Sequence, residues 1–566
     1  MNYSRKIHGL FSPLLLSFML CAQQTPSDPL LNAMQQELDR SLQNLKKTPV
    51  PPYFISYQLT DNRSLHVSAS FGALTGSSDH STRLLDLDLR VGDYSLDSTH
   101  PIRDAGPLDD FSYQFERQEI PLENDPDAHR VALWRETERK YRSAVQRLQH
   151  VKANVQVKVE AEDRSGDFSH EAAEVYFEPP APFSFDPVPW EKKMRAYTAP
   201  FASHKEIIEN SAEVIAEVET RRYVNSDGSR IQISSPFYRI IISATAKADD
   251  GMELPLHQTY MSFHQDGLPD DTTILKDVNH MVDTLLALVK APIAEPYTGP
   301  AILSGRSSAV FFHEIFGHRV EGQRQKNEDE AQTFKKKVNQ LVLPDFLSVY
   351  SDPTLKTFAG VDLVGYYPYD DEGVKARRVT VVDKGILRTF LMSRAPIEGF
   401  DHSNGHGRRQ QGYKVVARQS NLVVESTRQV SRSELKKQLL EQIKAAHKPY
   451  GLFFDDIEGG FTFTQRVLPN AFNVRPTVVY RIYPDGREEL VRGVDLIGTP
   501  LIAFSKIVAA DEQVAVFNGV CGAESGWGPV SASSPGLLVS QIEVQRKEKS
   551  QERVPILPPP PAFQSK

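Results

Sequence analysis

The sequence predicts an α+β fold, with an N-terminal α/β domain of antiparallel strands and packed helices and a β-rich C-terminal domain. Apolar residues at helical spacing near the N-terminus, alternating apolar residues in 83–91, and a change of texture after residue 300 support this. The chain has 566 residues, of which 40% are hydrophobic and 24% charged. This composition is typical of globular proteins and excludes a disordered chain, a collagen-like fibre and a multi-span membrane protein.

Elements of the N-terminal domain, 27–295, follow from local patterns. Asp28–Lys47 is predicted as a helix because leucine and methionine recur every three or four residues after Asp28-Pro29. Two further helices and several extended segments are predicted by the same criteria. The helices are 127–152 and 277–288, and the extended segments are 53–59, 65–71, 83–91, 155–159 and 174–177. Asp227-Gly228 and Asp250-Gly251 indicate hairpin turns.

Proline marks the predicted boundaries. The segment 178–190 contains five prolines and is predicted as an internal linker. Further prolines at 292, 296 and 300 separate the N-terminal domain from a C-terminal domain at 296–546, in which helices are predicted near 307–327 and 432–446. The charged and then proline-rich end, 547–566, is predicted as a mobile tail.

Residues 1–22 have the pattern of a signal peptide. Arg5 and Lys6 precede a short apolar run at 14–20, and Ala22 is small, as a cleavage site requires. We therefore expect an exported protein, periplasmic or secreted, with no transmembrane span in the mature chain. Lipid anchoring at Cys21 is an alternative, although the bulky residues before it do not suit a lipoprotein signal. Cleavage after Ala22 would leave Cys521 as the single cysteine.

The net charge of the chain indicates which classes of partner it can bind. Lys and Arg number 65 against 73 Asp and Glu, which gives a net charge of −8. This mildly acidic balance argues against general nucleic-acid binding, which needs a basic excess.

The most specific motif is H-E-x-x-x-H at His313, Glu314 and His318. Neutral imidazoles bind Zn²⁺ and leave a position for water, while an adjacent carboxylate can accept the proton of that water. Histidines five residues apart point about 140° away from each other on an ideal helix. The helix must therefore contain a wide turn or end between them; a π-type turn brings the fifth residue back into line, and Gly317 lowers the backbone cost of that distortion. Two ordinary helical histidines are the alternative interpretation.

Cys521 lies in a glycine-rich segment, 520–526, that we expect to form a loop. Such a loop can bring a thiolate to a metal, which would give two His and one Cys as ligands and leave one open position. A buried, inert thiol is the alternative.

Other polar groups are candidate metal or substrate sites. Asp370, Asp371 and Glu372 are expected to form a turn whose carboxylates accept backbone N–H bonds, with a second cation site as the alternative. His402 and His406 flank Asn404-Gly405, which we expect to form a flexible glycine loop that contacts substrate; a position near the active site, or replacement of Cys521 as a ligand, is the alternative. The remaining candidates are an arginine pair and an acidic segment. Arg408 and Arg409 would hold a peptide carboxylate or form a plain surface pair, and Asp455, Asp456 and Glu458 are expected in a solvated turn.

Several ordered segments together resemble the TldD/PmbA family of metallopeptidases. They cover about 300–545 and consist of His313–His318 with 320–322, 370–374 with 383–387, 404–409, and 521–522 with 530–531. The resemblance implies one Zn²⁺ per chain held by His313, His318 and Cys521, with Glu314 as the catalytic residue. The β-rich domain would then carry the metal-binding helix.

The resemblance also implies a dimer, of like chains or with another family member, that encloses the sites and admits short or unfolded peptides. The expected function is an exported zinc-dependent peptidase. The alternatives are a non-catalytic, zinc-stabilised partner subunit and a hydrolase of non-peptide amides. Retention of Glu314 favours the enzyme, because a structural zinc site does not need this carboxylate.

Overall fold

The computed structural model describes residues 28–102, 117–156, 163–462, 464 and 472–547. The predicted signal peptide, Cys21, most of the extended segment at 155–159 and all but Lys547 of the predicted tail lie outside these ranges. Among the described helices, none is long and apolar enough to cross a membrane.

One sheet organises the N-terminal domain. Its strands are β1 (Pro52–Ser70), β2 (Ala73–Val91), β3 (Gln118–Glu119), β4 (Val175–Phe177), β5 (Ile207–Asn225), β6 (Arg230–Lys247) and β7 (Glu253–Ser262). They follow the order β3-β2-β1-β5-β6, with β4 and β7 both pairing with β6. Its helices are α1 (Pro29–Leu45), α2 (Pro126–Gln156), α3 (Pro187–Thr198) and α4 (Asp271–Lys290).

The helices cover one face of this sheet at two ends. At one end, α1 and α2 pack on Tyr57, Leu59 and Val224, whereas α3 and α4 pack around Val67 and Val214 at the other. Asp28 caps α1 by accepting a hydrogen bond from the Leu31 N–H (2.9 Å), as its position before a proline predicts.

Three predictions for this domain are wrong. Val155 and Gln156, predicted to begin an extended segment, continue α2. Segments 53–59 and 65–71 belong to one strand, because Asn62, Arg63 and Ser64 between them pair with β2 on one side and β5 on the other. The proline-rich segment is not a linker. Its first part continues along β6, where the Glu178 N–H donates to the Gln232 carbonyl (2.9 Å), and its last prolines begin α3.

The C-terminal domain is β-rich, which confirms the predicted fold class. Its larger strands are β8 (Tyr297–Leu303), β9 (Leu347–Ser351), β12 (Val379–Asp383), β16 (Asn421–Ser426), β18 (Gly451–Thr462), β19 (Phe472–Ile482), β20 (Glu488–Val491), β21 (Val494–Gly498), β22 (Ile507–Ala523) and β23 (Gly526–Arg546). The two-residue strands are β10 (Thr357–Phe358), β11 (Val361–Asp362), β13 (Ile386–Leu387), β14 (Gly407–Arg408), β15 (Val416–Ala417) and β17 (Gln429–Val430). Its helices are α5 (Gly305–Ile315), α6 (Gln323–Lys326), α7 (Arg432–Ala445) and α8 (Pro500–Ser505).

Five of these strands close into a ring. β8 pairs with both β18 and β23, while β21 and β19 connect β23 back to β18. Helix α5 follows β8 directly and packs on these strands, where Phe311 contacts Phe472 of β19 and Phe504 of α8 edge to face. These contacts fix the position of α5.

The two domains meet through buried ion pairs. Arg221 of β5 bonds the Asp371 carboxylate and donates to the Tyr369 carbonyl (2.6 Å), and the Tyr223 hydroxyl donates to the Glu372 carbonyl (3.0 Å). These residues lie on the face of the N-terminal sheet opposite its helices.

Candidate metal centre

Helix α5 ends between the two histidines. Its last backbone bond runs from the Phe316 N–H to the Phe312 carbonyl (3.0 Å), and Gly317–Val320 then form a 3₁₀ turn. The wide π-type turn is therefore wrong, and the other alternative, termination, is the one observed. The change of direction brings the imidazole rings of His313 and His318 together, with centroids 5.1 Å apart.

Cys521 approaches from a strand. It lies in β22 opposite Gly528 of β23, so the expected glycine loop is wrong, because the segment is held by the ladder of a hairpin. Its Sγ lies 3.2 Å from His318 Nε2. Burial raises the pKa of this thiol, but the imidazoles of His318 and His313 outweigh burial and hold the pKa well below its ordinary value.

The three side chains fit a metal ion. All are buried, and one ligand atom from each lies within 4.8 Å of the others. In a tetrahedral zinc site, ligand atoms lie about 3.3–3.7 Å apart, close to the separation of Sγ and Nε2. His313 Nδ1 is buried and has no hydrogen-bond partner among the described residues. Two imidazoles and a thiol are also a donor set that zinc prefers.

Glu314 adjoins these ligands and is 9% exposed. Burial raises the pKa of its carboxyl, although His313 and His318 and a hydrogen bond from the Gly460 backbone act in the opposite direction. Three buried residues beside the ligands were not predicted as site residues: Glu321, Arg418 and Gln419. Glu321 follows His318 by three residues, which is the only local signal; the other two are distant in sequence.

The alternative histidine ligands lie elsewhere. His406 is fully buried and bonds Ser351 Oγ (3.1 Å) through Nε2 and Asn404 through Nδ1. The side chain of His402 is 70% exposed and lies beside Glu171 (3.4 Å). Neither belongs to the cluster of possible ligands found in the described part of the chain.

The acidic segment at 370–372 forms the expected turn. Asp370 Oδ1 accepts from the N–H groups of Glu372 and Val374, both at 2.9 Å. Asp371 bonds Arg221 and also accepts from Arg408 Nε (3.0 Å) and the Arg409 N–H (2.8 Å). The carboxylates therefore have protein partners.

Arg408 and Arg409 are not a plain surface pair, because their side chains are 20% and 11% exposed and lie against carboxylates. A role in substrate binding stays a prediction. The expected turn at 455–458 is wrong. Asp455, Asp456 and Glu458 lie in β18, and Asp456 Oδ1 accepts from Arg306 Nε (2.6 Å).

Comparison with known proteins identifies relatives of this domain. Residues 296–546 match the family profile described as PmbA/TldA metallopeptidase C-terminal domain. A protein of Archaeoglobus fulgidus named metalloprotease is 30% identical over 259 residues, which cover 46% of this chain and 56% of the relative. A metalloprotease of Methanocaldococcus jannaschii is 25% identical over 311 residues, 55% of this chain and 64% of the relative. The chain thus spans about three fifths of these two relatives.

A third relative, the metalloprotease TldD homolog of Haemophilus influenzae, is 26% identical over 250 residues, 43% of this chain and 48% of the relative. Among solved structures, TldE from Thermococcus kodakarensis aligns with a TM-score of 0.58 and 13% identity, covering 91% of this chain and 100% of that one. A Thermotoga maritima protein described as a modulator of a DNA gyrase aligns with a TM-score of 0.56 and 16% identity, covering 90% and 99%. The structural likeness shows the fold, and the comparisons together confirm the expected family resemblance.

Proposed function

Because the chain belongs to the TldD/PmbA family, we propose that it is a zinc-dependent peptidase that cleaves short or unfolded peptides. The observation that carries this proposal is the cluster of His313, His318 and Cys521, whose ligand atoms lie within 4.8 Å of one another beside Glu314. The named activity of the relatives gives further support, since they are called metalloproteases.

The chemistry follows from the residues that surround the cluster. When bound, zinc would acidify a water molecule and polarise a peptide carbonyl. Glu314 would take the proton from that water and give it to the leaving amine, because its carboxylate is adjacent to the ligands and a raised pKa suits it to both transfers. The Gly460 N–H would hold this carboxylate in orientation.

We propose that an extended peptide binds along β18. Beyond Phe454, this strand has a ladder partner only in β19 among the described residues, and its other side follows α5 toward Glu314. Glu458 of β18 has no partner in β19, because a bulge lies at this position, so proline there removes no ladder bond. Glu458→Pro should raise KM for peptides at unchanged zinc content, and unchanged cleavage would count against binding along this edge.

Export and assembly complete the proposal. Arg5, Lys6 and the apolar run at 14–20 support export to the periplasm or medium. We also propose the dimer that the family resemblance implies, of like chains or with another family member. An N-terminus at residue 23 in protein recovered from the exported fraction would agree with export, and a monomer of the purified chain by light scattering would refute a dimer of like chains.

Metal content is the first test. Purified wild type should contain about one zinc per chain, and Cys521→Ser should lose most of it, since a three-ligand site would keep only two. Glu314→Gln should retain zinc but lose peptidase activity by about 10²–10⁴-fold. Glu425→Gln, an exposed glutamate in β16, is the control. Zinc-loaded wild type that cleaves no member of a peptide library would instead favour a non-catalytic partner subunit, or a hydrolase of other amides if acyl-amides are turned over.

A further inference from the structure

Two consecutive buried residues contact the segments that carry the ligands. Arg418 Nη2 donates to the Cys521 carbonyl (2.9 Å), and its Nη1 donates to Ser525 Oγ (2.9 Å) in the turn that closes the same hairpin. Gln419 Nε2 donates to the His313 carbonyl (3.1 Å) at the end of α5. This dipeptide therefore holds the Cys521 strand and the His313 helix at once.

The third ligand is reached through Glu321, which is fully buried. His318 Nδ1 lies 3.3 Å from Glu321 Oε1 and 3.4 Å from Oε2. Arg418 Nε lies 3.6 Å from the same carboxylate, and Arg324 Nε donates to its Oε2 (2.9 Å). A continuous path thus runs from the Cys521 backbone through Arg418 and Glu321 to the His318 ring.

The contact with Glu321 orients the ring of His318. A carboxylate beside Nδ1 favours the tautomer with its proton there, so that Nε2, which lies 3.2 Å from Cys521 Sγ, would be the nitrogen that binds the metal. His313 is held at its backbone instead, where Gln419 Nε2 donates to its carbonyl (3.1 Å). The two histidines are therefore held by different means, one by its ring and the other by its backbone.

Gly317 is part of the same arrangement. A Cβ at this position would lie 1.7 Å from Gln419 Oε1, so only glycine leaves room for the amide that holds α5. Buried ion pairs contribute little net stability compared with apolar residues of similar volume. A buried carboxylate with two arginines at this place is better explained by the geometry that it imposes on the ligands.

We propose that Glu321, Arg418 and Gln419 are positioning residues that pre-set the three ligands for a metal ion. The inference rests on the proposed zinc site and deepens it. Removing any of the three residues leaves His313, His318 and Cys521 in the chain but frees one of them to turn away. Zinc affinity, rather than the fold, should therefore respond most strongly.

The test is the affinity of the full mature chain for zinc, measured by competition with a chromophoric chelator. We expect Glu321→Gln and Arg418→Gln to bind zinc about 10–100-fold more weakly than wild type. Cobalt provides a second readout, because the thiolate-to-cobalt absorption band should weaken or shift in both variants. Arg394→Gln is the matched control, because this arginine is equally buried but bonds Ser169 and Asp227 at the domain junction. The zinc affinity of this variant should stay within about twofold of wild type.

Each outcome is decisive. Thermal unfolding of the metal-free proteins verifies that the variants are folded. If Arg418→Gln does not fold, Gln419→Met, which keeps the volume but lacks the bond to the His313 carbonyl, should still weaken zinc binding several-fold. If folded Glu321 and Gln419 variants have wild-type zinc affinity and an unchanged cobalt spectrum, the inference is overturned but the proposed function stands. Wild type that binds no zinc would overturn the proposed function, and the inference with it.

Discussion

Acidification should destabilise this protein through one buried histidine. His406 is fully buried, and burial lowers its pKa from 6.5 to about 4, while the Asn404 carbonyl acts in the opposite direction. In the unfolded chain this imidazole takes up a proton once the pH falls below its ordinary pKa of 6.5, whereas in the folded protein it stays neutral until the pH approaches 4. Because the unfolded state then binds more protons, stability falls as the pH drops from about 6.5 toward 4.

The size of this effect follows from the two pKa values. Between about pH 7.5 and pH 4.5, the linkage relation gives a loss of about 2.5 kcal/mol from His406. Urea unfolding of metal-free wild type and His406→Gln at both pH values isolates it, since other acid-sensitive groups are common to the two proteins. The variant should lose about 2.5 kcal/mol less than wild type.

Equal losses of stability in the two proteins would refute the reasoning, because His406 would then titrate as it does in water. Zinc affinity at neutral pH gives a second check. It should be unchanged in His406→Gln, since this side chain bonds Ser351 and Asn404 and not the ligand cluster. A large loss of zinc affinity in His406→Gln would favour the alternative in which His406 is a metal ligand.

Two other substitutions should separate the site from the domain junction. Gly317→Ala places a methyl group 1.7 Å from Gln419 Oε1 and should weaken zinc binding at least tenfold, measured by chelator competition. A zinc affinity equal to that of wild type would contradict the close contact. Asp371→Ala leaves Arg221 buried without its carboxylate and should lower the free energy of unfolding by about 3–5 kcal/mol in urea titrations. Unchanged stability would show that this buried ion pair does not hold the domains together.

Local patterns predicted much of the fold, and tertiary pairing explains where they failed. Alternation at 83–91 and leucine spacing in α1 were sufficient, because the apolar residues of both elements pack together in one core. Asn62–Ser64 read as a break, yet strands on both sides supply the hydrogen bonds that keep β1 continuous. Likewise 455–458 is polar but extended, because β19 pairs with it. A single sequence does not contain the neighbour that decides such cases.

Local signals likewise predicted the ligands of the site but not the residues that support them. His313 and His318 were predicted from their spacing, and Cys521 because it is the single cysteine after cleavage. Arg418 and Gln419 had no such signal, because about one hundred residues separate them from the atoms they contact. They precede β16, which pairs with β23 beside the strand of Cys521, and this pairing brings them to the end of α5.

The unusual histidine spacing has a physical cause in this ending. A helix that stops at Ile315 leaves the carbonyls of its last turn without intrahelical partners. Gln419 donates to the carbonyl of His313, and Arg319 Nη1 donates to that of Ile315 (3.0 Å), so two buried carbonyls are satisfied by side chains. A spacing of four residues would keep both histidines on one continuous helix and need neither bond. The fifth residue, Gly317 and Gln419 therefore belong together: the helix ends so that His318 can turn, and the amide that caps the end fits only against glycine.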